Sequence, residues 1–146
     1  MRRFYAESCR LSRVNWLMSG HLHFELTKRV FMGTKAHVIE NFAINFQKRN
    51  RAALVEAIDP EFVWIDPNGQ IVAQGIDAFF SGIDGLWADH PNVQNSSSIC
   101  LEIWNLVTHT ESFSGYDDGH TESWVWVYEF KGERIYKMYG FKNEDV

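Results

Sequence analysis

Cysteine is scarce in this sequence: Cys9 and Cys100 are the only two in 146 residues. Two thiols so far apart make neither a disulfide framework nor a C-x-x-C metal pair, so a reducing, cytoplasmic setting is expected. No apolar run approaches the roughly 18 residues of a membrane-spanning helix. The N-terminal stretch is broken by Arg10, Ser12, Arg13 and Asn15, which leaves no secretory apolar core. Basic charge is also lacking. A net charge of −5 supplies no field to hold a polyanion, so neither nucleic acid nor a membrane is expected as a partner.

What is present is globular: 45% of residues are apolar, 23% are charged, and the length suits one domain. Aromatic residues are abundant, with 6 Trp, 5 Tyr and 11 Phe. The charge is unevenly placed. Residues 1–31 carry Arg2, Arg3, Arg10, Arg13, Lys28 and Arg29 against Glu7 and Glu25, a net +4, which leaves −9 for the remainder. Apolar periodicity becomes clear only from about Lys35. These two features divide the chain into an N-terminal extension, 1–31, and a single domain, 32–146. The extension reads as a helix packed through Phe4, Leu11, Val14, Trp16 and Leu17, or as a basic arm for a partner. His21 and His23 share a face there, but spacing offers no third ligand, so no metal is expected.

Val38, Ile39, Phe42, Ala43 and Phe46 recur at helical spacing, with Thr34 placed as the N-cap. Asn50 caps a second helix over 51–58, ended by Asp59-Pro60. Phe62 to Asp66 reads as a strand, Pro67-Asn68-Gly69 as a turn, and 70–74 as a return strand. Gly75 opens a third helix, which His90-Pro91 ends. Strands follow at about 93–104, 106–114, 120–130 and 134–141, with turns at Asp117-Asp118-Gly119 and Lys131-Gly132-Glu133. The polar run Asn95-Ser96-Ser97-Ser98 suggests an exposed strand edge or a bulge. Segregated helices and strands define an α+β domain.

Three stretches carry a resemblance to a known family. Phe62-Val63-Trp64-Ile65-Asp66-Pro67-Asn68-Gly69, followed by Gly75-Ile76-Asp77-Ala78-Phe79-Phe80, is similar to a strand ending in Asp-Pro-x-Gly and the helix start after it. Thr108-His109-Thr110-Glu111-Ser112-Phe113-Ser114-Gly115 is similar to a T-H-T-G-x-F-x-G strand. Phe130-Lys131-Gly132-Glu133-Arg134-Ile135 is similar to a closing F-x-x-G-K-I hairpin. In this order they resemble the nuclear-transport-factor-2-like superfamily, in its branch of SnoaL-like polyketide cyclases and ketosteroid isomerases. The likeness covers about 35–142. It implies a cone-shaped α+β barrel, with N-terminal helices packed into a curved, mostly antiparallel sheet around an apolar pocket. It also implies a homodimer through the outer sheet face, and chemistry without a cofactor.

The resemblance makes Asp66 the general base next to a carbonyl, since the Asp-Pro aspartate has that role in the isomerases. Apolar neighbours would raise its pKa towards the working range of a base. The residues alone also allow Asp66 to be a turn residue bonded to local backbone. His109 and Glu111 share a strand face and form either an acid–base pair in the pocket or a polar pair on the solvent or dimer face. Counting without gaps puts Phe42 where the isomerases have their oxyanion tyrosine, and Trp126 near their protonated aspartate. Tyr139 or Lys137 is then the remaining source of a donor. Phe42, Phe62, Trp64, Phe79, Trp124, Trp126, Tyr128 and Tyr139 are the expected ligand-binding set. Two functions follow: a pocket for a small apolar or carbonyl-containing ligand serving a cofactor-free isomerase or cyclase, or a ligand-binding or dimerisation module without catalysis.

Overall fold

A computed structural model describes residues 33–143. The N-terminal extension, the histidines His21 and His23, and the start of the domain at residue 32 lie outside the described residues. Helices α1 (Thr34–Gln47) and α2 (Arg51–Ala57) lead into strands β1 (Ile58–Ile65) and β2 (Ile71–Gln74). Helix α3 (Ile76–Asp89) follows, then β3 (Gln94–Ile103), β4 (Leu106–Ser114), β5 (Glu122–Lys131) and β6 (Arg134–Asn143). No described helix is long and apolar enough to cross a membrane.

Among the described residues six strands form one sheet in the order β2-β1-β6-β5-β4-β3. Every pair is antiparallel except β1 with β6. That parallel pair requires a crossover, which is the long path through β2, α3 and the meander. The sheet curves without closing, so β2 and β3 remain its edges and the helices fill its concave side. Ile39, Phe42 and Phe46 of α1 and Phe79 and Phe80 of α3 pack onto Phe62, Val107, Phe113, Tyr128 and Ile135 from the sheet. This is the expected α+β cone.

Most boundaries shift by a residue or two, and two of the differences have a clear local reason. Gly33, and not Thr34, is the N-cap of α1, with no side-chain cap bond of its own. The free end is served from the sheet instead: Glu102 of β3 accepts from the Ala36 N–H at 2.8 Å. A carboxylate there satisfies an orphan donor and meets the positive end of the helix dipole. Strand β1 begins at Ile58, four residues before Phe62, because the chain passes from α2 into extended backbone without a loop. Pro60 is tolerated because pairing with β6 is irregular there, shifting register between Ile58 and Val63. The cap at Asn50 is as expected; its Oδ1 accepts from the Ala53 N–H at 3.3 Å.

Candidate functional site

The inward residues of β4, β5 and β1 face α1 and α3 across a cavity of about 310 Å³. Strand periodicity supplies its wall. On β4, Val107, His109, Glu111 and Phe113 point inward while Thr108, Thr110 and Ser112 point away. Their partners across the ladder are Tyr128 for Val107, Trp126 for His109 and Trp124 for Glu111. The two stripes therefore put one imidazole and one carboxyl beside an aromatic ladder. Trp124 and Trp126 stack at 5.0 Å with planes 10° apart, and Trp64 meets Trp126 edge-on at 5.9 Å. Ile39, Phe42, Ala43 and Phe46 of α1 and Phe79, Ile83 and Leu86 of α3 close the apolar side.

Three polar groups in this wall determine its chemistry. His109 is 1% exposed, and neither ring nitrogen has a hydrogen-bond partner. Burial pushes its pKa down to about 4, so the ring is neutral at physiological pH and offers one N–H and one lone pair. Trp126 Nε1 is likewise buried without a full hydrogen bond. Glu111 is 7% exposed and accepts from Asn95 Nδ2 at 2.7 Å. Burial pushes its pKa up to about 7, while the Asn95 amide and the nearby Trp126 indole hold it back in part. A carboxyl titrating there can give or take a proton under ordinary conditions.

At the edge of the cavity a second carboxylate is tuned the opposite way. Glu122 accepts from Tyr116 Oη and from Trp124 Nε1, each at 3.2 Å, and pairs with Lys142. Burial alone would raise its pKa, but the Lys142 ammonium and these donors bring it below the usual carboxylate range. One site thus holds an ionised carboxylate and one poised near neutrality, the separation that assigns different roles to like groups. No Lys or Arg lines the cavity among the described residues, so nothing there neutralises an anionic ligand.

Of the expected residues, the structure gathers His109, Glu111, Phe42, Trp64, Phe79, Trp124, Trp126 and Tyr128 around the cavity. His109 and Glu111 are therefore not a polar pair on an outer face. Four residues fall elsewhere. Phe62 is buried behind the wall, its ring 5.0 Å from Phe79. Tyr139 pairs with Val127 and Ile65 on the opposite face of the sheet, and Lys137, two residues before it, sits near Glu129 at 4.0 Å. Asp66 is outside the cavity lining: its Oδ1 accepts from the backbone N–H groups of Asn68 and Gln70, both at 2.8 Å. Gln70 also accepts from the Asp66 N–H, and Asp66 from the Gly69 N–H. The turn reading holds here, because β1 ends at Ile65 and its pairing with β2 slips after Trp64. Face alternation through Phe62 and Trp64 does not carry on to Asp66.

Asn95, Tyr116 and Glu122 were absent from the expected site. Glu122 shares the Trp124–Trp126 face, which was the available signal. Asn95 lies in a polar run on the edge strand, and only the strand pairing turns it towards Glu111.

No protein-family model and no curated protein matches the sequence. Solved structures do match it. Bal32a from a soil-derived mobile gene cassette has a TM-score of 0.68 at 14% identity, covering 76% of this chain and 90% of its own. An NTF2-like protein of unknown function from Burkholderia pseudomallei has a TM-score of 0.62 at 16% identity, covering 77% and 92%. TerC, co-crystallised with polyporic acid, has a TM-score of 0.65 at 11% identity, covering 76% and 92%. The chain has the nuclear-transport-factor-2-like fold.

Proposed function

We propose that this protein binds a small, neutral, largely apolar carbonyl compound in the cavity, and that Glu111 exchanges a proton with it. The observation that carries this reading is His109, whose Nδ1 and Nε2 are both buried without partners in a wall of a mostly apolar cavity, beside the indole of its ladder partner Trp126. An unsatisfied buried donor or acceptor costs about 1–3 kcal/mol, a cost that a ligand oxygen placed against it recovers. The Trp126 indole donates only, and neutral His109 supplies a second donor, so a carbonyl oxygen suits the pair. Ionised Glu111 would take a proton from the carbon next to that carbonyl, with the developing oxyanion held by the two N–H groups. Returning the proton at another position completes an isomerisation without consuming a cofactor. This role falls to Glu111 because Asp66 is occupied by its turn.

TerC, which shares this fold, was co-crystallised with a small molecule, polyporic acid, and that likeness supports small-molecule binding in general. The alternative, a binding module without catalysis, draws on the same cavity and is favoured by Phe42 and by the engaged Asp66. Ligand screening by thermal shift tests the binding that both share. Neutral aryl or terpenoid ketones are expected to raise the melting temperature, and Trp126→Phe to abolish much of that rise. Equal stabilisation of parent and variant, or none by any neutral carbonyl ligand, contradicts the proposal.

A second copy of this chain is the proposed occupant of the outer sheet face. Leu101, Ile103, Leu106 and Phe141 lie there, each 38% exposed or more, beside the half-buried Val125, Val127 and Tyr139. Several large exposed apolar side chains gathered on one sheet face, even with Thr108 and the Glu129–Lys137 pair among them, suit a partner surface. Light scattering at micromolar concentration is expected to give twice the chain mass, and a single chain mass overturns the dimer.

A further inference from the structure

The geometry points to Asn95 as a positioning residue for Glu111: its amide holds one carboxyl oxygen and so fixes the carboxyl in the cavity wall. The inference rests on the reading of Glu111 as the group that exchanges a proton with the ligand.

Asn95 sits on β3 diagonally across from Glu111, whose direct partner in the ladder is Ser97. Diagonal neighbours on one sheet face are about 7–8 Å apart, close enough for two polar side chains to meet. Its Nδ2 is shared between two acceptors, Glu111 Oε1 at 2.7 Å and the carbonyl oxygen of Ala43 in α1 at 3.3 Å. A main-chain carbonyl accepts and cannot donate, so this second contact fixes the amide with its nitrogen towards Glu111. The backbone is pinned as well, since the Asn95 N–H donates to Gln47 Oε1 at 2.8 Å. Asn95 is thereby clamped between the last turns of α1 and the edge strand. It cannot rotate to present its oxygen to the carboxyl without losing the Ala43 contact.

Both amide hydrogens are committed, so Asn95 has no donor left for a ligand. Its effect on a ligand passes through Glu111. With Oε1 fixed by Asn95, the Glu111 carboxyl is held in the cavity wall beside the Trp126 indole. The titratable groups around it are His109 on its own strand, Tyr128 and Glu122 on β5, and Tyr116 in the loop between those strands. The helices present only apolar side chains to the cavity. Asn95 is therefore a neutral donor, alongside the Trp126 indole, by which the protein adjusts this carboxyl without adding a charge.

The test is the Glu111 titration midpoint, read by NMR on the full chain with isotope-labelled glutamate. The Glu111 signal is assigned by its disappearance in Glu111→Gln. Removing a donor to the ionised form raises a carboxyl pKa, so Asn95→Ala and Asn95→Thr are each expected to move the midpoint up by about one unit. Threonine suits a strand and keeps the fold if alanine does not, and thermal melting reports the fold of each. A merely structural Asn95 predicts lower stability with the Glu111 midpoint unmoved, and that result overturns the inference. Failure of the functional reading looks different: the midpoint moves in the Asn95 variants, yet Glu111→Gln binds carbonyl ligands with the parent's affinity and pH profile.

Discussion

Glu111→Gln is expected to make the folded protein more stable than the parent at about pH 8, by roughly 1–3 kcal/mol, while leaving it near parental stability at about pH 5. The sign follows from where the proton sits. The pKa of Glu111 is about 7 in the folded state against 4.5 for the free side chain. Between those values the folded state holds a proton that the unfolded state has released, so stability falls as pH rises through that window. Above the upper value the parent keeps a buried carboxylate whose desolvation the Asn95 amide and the Trp126 indole offset only in part. Glutamine has the same shape, still accepts from Asn95, and never ionises.

His109 works in the other direction. Its pKa is about 4 when folded against 6.5 when free, so acidification through that window costs stability. The two slopes offset each other in the parent over much of the acidic range, and comparing the parent with Glu111→Gln removes the histidine contribution. Chemical denaturation across pH checks the expectation. A variant less stable than the parent at alkaline pH would mean that Glu111 is ionised and well solvated. Stability gained by neutralising a side chain in a cavity is the usual mark of a group retained for function.

Gly140→Ala carries the second large effect. Gly140 on β6 is the direct ladder partner of Trp126 on β5, and the six-membered ring of the indole lies against it. A Cβ at residue 140 would stand 2.3 Å from Trp126 Cζ3 and 2.9 Å from Cε3 and Cη2. The ring has little room to give way, being stacked on Trp124 and held edge-on by Trp64. Overpacking of this sort costs about 1–3 kcal/mol. It also turns the indole N–H away from the cavity, so affinity for a carbonyl ligand should fall by about tenfold or more, the equivalent of one lost hydrogen bond. Near-ultraviolet circular dichroism should register the disturbed tryptophan stack. A parental spectrum and melting temperature would show that the sheet yields at this point instead.

The fold was legible because its signals are local. Helical spacing from Val38 to Phe46, the Asn50 cap and the Asp117-Asp118-Gly119 turn each act within a few residues, and strand β4 falls where its alternation places it. The candidate site was legible where a strand face could be followed, as along His109, Glu111 and Phe113 or along Trp124, Trp126 and Tyr128. It was lost where that periodicity breaks. The slipped pairing after Trp64 detaches Asp66 from the face of Phe62, and the motif likeness could not register the slip. Asn95 and Gly140 act through partners on neighbouring strands, Glu111 and Trp126. Their roles depend on sheet register, which the sequence carries only through turns and burial.

Glu111, and not Asp66, is the carboxyl proposed to meet the ligand. Binding of a neutral carbonyl ligand found by thermal shift, titrated against pH in Asp66→Asn and Glu111→Gln side by side, tests it most directly. Asp66→Asn should keep the parent's affinity and pH profile, whereas Glu111→Gln should weaken binding and abolish the dependence around neutral pH. Loss of binding in Asp66→Asn, with Glu111→Gln indistinguishable from the parent, would contradict the claim.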